Sequence, residues 1–249
     1  METEEIQSFS FCKTALVFMI LGIIWYFREK IVYNSYRLYF AWIFNKICES
    51  IKDGLKDEKT RLFQFLHDYK NQQKKNLTIL EVGSGTAANL SFYPANSKVI
   101  CLDPNQHFDS YATENIKKEE NSISVDLVHG YAEALPFENE IFDIVVCTFV
   151  LCSVKDMKKC LQEIKRVLRQ GGKYVFLEHV AYEDKKSWAW TFQCVMNPVQ
   201  QMFFDGCETI RDTETYIMAT GFSDVNVNRF PHKPFPIWFR PCISGLATK

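Results

Sequence analysis

At 249 residues the chain is long enough for one α/β domain with additions and short for two full domains. Its 29 basic and 30 acidic side chains nearly cancel, which gives no basic footprint for nucleic acid. Apolar residues make up 47% of the chain, so a sizeable core is expected. The nine cysteines include no C-x-x-C pair, which argues for reduced thiols in a cytosol-facing domain rather than a zinc site or a disulfide framework.

The first informative stretch is Ala15 to Phe27, ALVFMILGIIWYF, bounded by Lys13 and Arg28. It falls short of the ~20 apolar residues a spanning helix wants, and runs of about 10–14 are more often interfacial. Glu2, Glu4 and Glu5 make the leading end acidic and no small-x-small site comes after Phe27, so a cleaved signal peptide is disfavoured. Trp25, Tyr26 and Phe27 and then Arg28 and Lys30 is the order that a membrane interface prefers. Residues 31 to 51 read as an amphipathic helix, able to lie among headgroups or to pack across the domain. Arg28, Lys30, Arg37 and Lys46 place the carboxyl-terminal domain in the cytoplasm by the positive-inside rule. Residues 1–52 are therefore expected to form a hydrophobic membrane-anchoring helical segment and 53–249 the catalytic domain. Leu62, Phe63, Phe65 and Leu66 supply a helical apolar face before the polar connection Asn71 to Asn76.

Leu77-Thr78-Ile79-Leu80-Glu81-Val82 is a short buried-strand run that stops at Gly83-Ser84-Gly85. Neither glycine has a Cβ, so the backbone can turn sharply and approach a ligand. A second strand run, Lys98 to Leu102, ends at Asp103, positioned to accept hydrogen bonds from both ribose hydroxyls of an adenosine-bearing cofactor. Gly83-x-Gly85-x-x-Ala88 also matches the dinucleotide fingerprint, leaving a nicotinamide dehydrogenase open. Glu81 weighs against that reading, because a carboxylate two residues before the turn repels a pyrophosphate and suits an α-amino group and a sulfonium.

Further along, Gly130-Tyr131-Ala132-Glu133-Ala134-Leu135-Pro136-Phe137 is succeeded by Phe142-Asp143-Ile144-Val145-Val146, and Gly171-Gly172 precedes Lys173 to Leu177. With Glu81 to Thr86 these four motifs resemble class I S-adenosylmethionine-dependent methyltransferases over about the last two thirds of the chain. Phe92-Tyr93-Pro94, Cys101 to Asn105, Cys147 to Val154, Glu178-His179-Val180 and Phe204 to Cys207 make the resemblance more specific, to the methyltransferase-like seven family of membrane-associated thiol S-methyltransferases.

The resemblance implies a Rossmann-like α/β fold with a seven-stranded sheet, S-adenosylmethionine as cofactor and a small hydrophobic thiol as acceptor. It implies residence on the cytosolic face of the endoplasmic reticulum membrane, with lipid droplets as a further location. Glu81, Gly83 and Gly85 are expected at the methionine end, Asp103 with Pro104 at the ribose, and Tyr131, Ala132 and Glu133 at the adenine. Asn89 and Thr148 are further candidate contacts. Ala87 stands where the family commonly has glycine, a change tolerated if the backbone stays helical, and Thr86 to Leu90 is expected to open that helix. Lys158 to Arg169 reads as an amphipathic helix. The aromatic and methionine-rich segment 182–206 reads as an apolar lid over the acceptor, part of it core.

His179, beside Glu178 at the end of the fifth strand, is the candidate base for a thiol, weighed equally against a structural histidine. Two other functions stay open: methylation of a quinone precursor or lipid, and a non-catalytic membrane or lipid-droplet protein that retains the fold.

Overall fold

The computed structural model describes residues 2–119 and 122–249, the side chains of 2–15 and 51–53 excepted. Glu2, Glu4, Glu5 and Lys13, which bear on the reading of the acidic leading end and of the apolar run after it, are outside the described side chains. Seven strands form one sheet in the order β3-β2-β1-β4-β5-β7-β6. These are β1 (Thr78–Val82), β2 (Lys98–Leu102), β3 (Ser124–Val128), β4 (Phe142–Thr148), β5 (Leu168–His179), β6 (Asp224–Pro231) and β7 (Pro241–Thr248). The first five run parallel, and β7 enters antiparallel between β5 and β6. Central β1 and β4 are buried on both faces because helices cover both, whereas edge strand β6 alternates exposed and part-buried positions.

The connections leave β1 toward β2 on one side and return to β4 on the other. That reversal puts the crevice beyond the carboxyl ends of β1 and β4, where ligands bind in open α/β sheets. On one face, α3 (Met157–Val167) buries Cys160, Leu161, Ile164 and Val167 against Leu80, Val145 and Tyr174, with Ile217 of α5 (Thr213–Ala219) in the same cluster. On the other, Leu55, Leu62, Phe63 and Leu66 of α1 (Glu2–Gln73) pack on Ile79, Val99, Ile144 and Val175, together with Ala112 of α2 (Asp109–Lys118).

The expected boundary at 52/53 falls inside α1, a single helix of 72 residues. Its direction is set by its contacts. The Tyr69 hydroxyl donates to the Gly171 carbonyl near the start of β5, Arg61 donates to Ser244 Oγ at 3.0 Å farther along the sheet, and Phe44 lies against Gly85 past the end of β1. Beyond that rim the helix continues with Leu16 to Phe27, Ile31, Val32 and Tyr33 largely exposed. Among the described residues, no helix is long and apolar enough to cross a membrane.

One local expectation changes. No α-helix opens at Thr86: the chain makes turns through Asn89 and then a short 3₁₀ helix, Leu90–Phe92. Ala87 takes φ +55°, the left-handed region, which interrupts a right-handed helix there. Ile237–Phe239 is likewise a 3₁₀ turn, and the last strand is Pro241–Thr248.

Candidate active site

Alternation along β1 decides where its acid goes. Leu80 and Val82 face α3, so Ile79 and Glu81 face α1, and the Glu81 carboxylate is buried at 2% exposure. Asn89 Nδ2 donates to Glu81 Oε1 at 2.8 Å and the Tyr93 hydroxyl donates to Oε2 at 2.8 Å. The same Asn89 amide also donates to Thr148 Oγ1 at 3.1 Å, joining the ends of β1 and β4. Burial raises the Glu81 pKa against those hydrogen bonds and the field of Lys59. Lys59, on α1, lies over the Phe92 ring at 5.9 Å, and loss of hydration holds its pKa below the usual lysine range. Asn89 Oδ1, on a side chain 4% exposed, has no partner among the described residues. A buried acceptor left open beside a carboxylate fits an α-ammonium group.

The glycine turn is shaped by contact. Gly83 has φ +64°, and a Cβ there would meet Val150 Cγ2 at 2.5 Å. Gly85 has φ +51°, and its N–H donates to Asp103 Oδ2 at 3.0 Å, while Oδ1 accepts from the Asn105 N–H at 2.8 Å. Burial lifts the Asp103 carboxyl to about 6, against those two amides. Pro104 comes directly after it and is part-buried.

At the adenine turn the three expected residues separate. Tyr131 is exposed and within side-chain reach of Tyr33 on α1, whereas Ala132 is buried. Glu133 Oε1 accepts from the Lys155 N–H at 2.7 Å, which ties this turn to the entry of α3. Segment 36–48 of α1 then crosses the rim. Asn105 Nδ2 donates to the Arg37 carbonyl at 3.0 Å, and Phe40 and Phe44 meet Phe108 edge-on at 5.9 and 5.6 Å.

On the acceptor side, Phe149 succeeds β4 with φ +58° and stacks on the His179 ring at 4.3 Å. His179 is 5% exposed, enclosed by Phe149, Phe235 and Phe239, and its Nδ1–H donates to the Phe239 carbonyl at 3.2 Å. Burial pushes its pKa down to about 3. A histidine so enclosed is a weaker base than a free imidazole, because burial disfavours its charged form.

Sequence reasoning brought Glu81, Gly83, Gly85, Asn89, Asp103 and Thr148 to one rim, and there they stand together. It missed three participants. Glu178, fully buried, accepts from the Val150 and Leu151 N–H groups at 3.0 and 3.1 Å and so holds the loop after β4. Its signal was legible, since an acid ending an apolar strand run needs a buried partner. Tyr93 stood in a motif without a role, and Lys59 in a charged helical stretch to which no functional role was given.

Fold and site together define a class I S-adenosylmethionine-dependent methyltransferase, and the unpaired acceptor of Asn89 suits that cofactor's amino-acid end. The family described as Methyltransferase domain matches residues 80–176. Thiol S-methyltransferase TMT1B of Rattus norvegicus is 35% identical over 216 residues, 86% of this chain and 87% of the relative. Thiol S-methyltransferase TMT1A of Homo sapiens is 34% identical over 85% of this chain and 86% of its own length. A solved methyltransferase of Thermotoga maritima, 16% identical with a TM-score of 0.57 over 86% of this chain and 99% of its own, shares the fold. The chain belongs to the family of these thiol S-methyltransferases, and S-adenosylmethionine is its cofactor.

Proposed function

We propose that the enzyme methylates the sulfur of small lipophilic thiols on the cytosolic face of the endoplasmic reticulum membrane. The observation that carries the acceptor is the neutral His179 inside the cluster of Phe149, Phe235 and Phe239. A thiol of pKa ~8.5 is about 3% thiolate at pH 7 without help, and thiolate is a strong nucleophile. A phenol or alcohol ionises far less and needs a base. The names of the relatives support the same acceptor.

When bound, the cofactor would supply a methyl group on a sulfonium: the acceptor sulfur would bond to that carbon as the sulfonium S–CH3 bond breaks, and the cofactor would leave as a neutral thioether. Glu81 and Asn89 Oδ1 bind the α-ammonium, and Lys59 stands as the cation for the α-carboxylate. Gly83 and Gly85 bring backbone close. Asp103 beside Pro104 accepts the ribose hydroxyls, with Tyr131, Ala132 and Glu133 forming the adenine side. Thr148 fixes the Asn89 amide, and Glu178 fixes the loop that aims Phe149. α1 covers the rim and excludes water, so positioning and desolvation supply most of the rate.

Membrane residence is supported by the exposed apolar length of α1 from Leu16 to Tyr33, interrupted by Arg28, Glu29 and Lys30, with Leu38, Tyr39 and Trp42 exposed farther along. The test is a methylation assay with an alkyl thiol, a phenol and a quinol offered together. Transfer to the thiol alone is expected, and preference for the phenol or quinol removes the thiol reading. Full-length protein recovered wholly in the carbonate-soluble fraction of cells removes the membrane reading.

A further inference from the structure

Helix α4 (Trp188–Phe203) is built inside out. Its buried positions are Gln193, Asn197 and Gln200. Gln193 Nε2 donates to the carbonyls of Val180, Thr209 and Trp238 at 3.1, 2.9 and 3.0 Å, and its Oε1 accepts from the Tyr182 N–H at 3.0 Å. Asn197 Oδ1 accepts from the Thr209 N–H at 2.9 Å. The outward positions Trp188, Val195, Val199, Met202 and Phe203 leave 46 to 70% of their surface uncovered. No charged residue occurs in the helix. Helices facing water show the reverse arrangement, with the apolar stripe inward and polar groups outward. An outward apolar face of this size fits an apolar surrounding.

Two observations identify that surrounding as lipid. The end of α4 is seated on α1: the Asp205 N–H donates to the Tyr36 hydroxyl at 2.8 Å, and Phe204 packs with Phe40 and Phe108. The α4 face is thus continuous with α1, where the consecutive residues Ile23 to Phe27 are 48 to 64% exposed. Consecutive residues point to all sides of a helix, so what covers them is a medium rather than a one-sided partner. In addition, Lys185 and Lys186 closely precede α4, and Lys185 Nζ lies 3.7 Å from the Trp190 ring centroid. Cations beside tryptophan are the interfacial arrangement.

We propose that the outer face of α4 rests in the headgroup and upper acyl layer of a bilayer, beside α1, with the carboxyl rim of the sheet facing the membrane. The continuity rests on α1 being an anchor, while the inverted pattern of α4 stands without it. The acceptor then reaches the site from the lipid phase, where lipophilic thiols concentrate.

The test uses the full-length protein on vesicles of phosphatidylcholine and phosphatidylserine that contain a diazirine-bearing phosphatidylcholine, irradiated and mapped by peptide mass spectrometry. Lipid adducts are expected on peptides covering residues 188–203 and 16–27, enriched over those on α2, whose charged side chains face water. Adducts on α1 without enrichment on α4 overturn the proposal and leave the anchor standing. Adducts on α4 alone uphold it and remove the anchor reading. Absence from both removes both, and a dimer cross-linked through α4 with no lipid adduct there assigns the face to a second copy instead.

Discussion

Replacing Asn89 by alanine tests the amino-acid end of the cofactor site at a single residue. The Asn89 amide donates to Glu81 at 2.8 Å and to Thr148 at 3.1 Å, and its buried Oδ1 has no partner among the described residues. Alanine removes the open acceptor. Hydrogen bonds to charged groups contribute about 1.5–3 kcal/mol, so the dissociation constant for S-adenosylmethionine should rise about 10- to 150-fold. It also takes from Glu81 one of its two hydrogen-bond donors, which should lower folding stability by a comparable amount. Calorimetric titration separates the two effects if 5′-methylthioadenosine, which lacks the amino-acid moiety, is titrated alongside. That nucleoside should bind wild type and N89A equally. An N89A enzyme that binds S-adenosylmethionine within about twofold of wild type refutes the ammonium assignment. Equal weakening of both ligands attributes the loss to general damage at the rim.

Asp103 titrates at about 6, and only its ionised form accepts from both ribose hydroxyls. Cofactor affinity should be flat above that value and fall about tenfold by pH 5, and calorimetry that shows equal affinity at pH 5 and 8 denies the contact. With the thiolate generated by the acceptor itself, the pH–rate profile should bend at the acceptor's own pKa, and two thiols of different pKa sharing one inflection would instead reveal a base in the protein. His179 is buried and neutral, so below its unfolded value of about 6.5 the unfolded chain takes up a proton that the folded chain refuses. Stability is intact above that pH and falls as pH drops toward about 3, by about 2 kcal/mol at pH 5, and H179Q should flatten that dependence in denaturant titrations. Gly83→Ala forces a Cβ to within 2.5 Å of Val150 at φ +64°, and a loss of about 2–4 kcal/mol in stability is expected. A melting temperature equal to wild type would contradict the close approach of that loop.

Local patterns carried much of this molecule. Apolar β-branched runs that end in glycine or acid were enough to place β1 and β2 and to gather Glu81, Gly83, Gly85 and Asp103, because a buried parallel strand leaves its last residues at one rim whatever surrounds it, while the Phe142-Asp143-Ile144-Val145-Val146 motif marked β4. Tertiary structure alone decided the rest. Whether His179 is a base depends on three phenylalanines, two of them 56 and 60 positions away along the chain, and burial among them sets its proton affinity. The left-handed backbone of Ala87 and the unpaired oxygen of Asn89 arise from how the turn fits against its neighbours, which no spacing encodes. The same holds for α4, whose aromatic and methionine residues read as core or lid. Two of its inward amides, Gln193 and Asn197, reach backbone carbonyls and N–H groups of other segments, and that network rather than composition turned its apolar side outward.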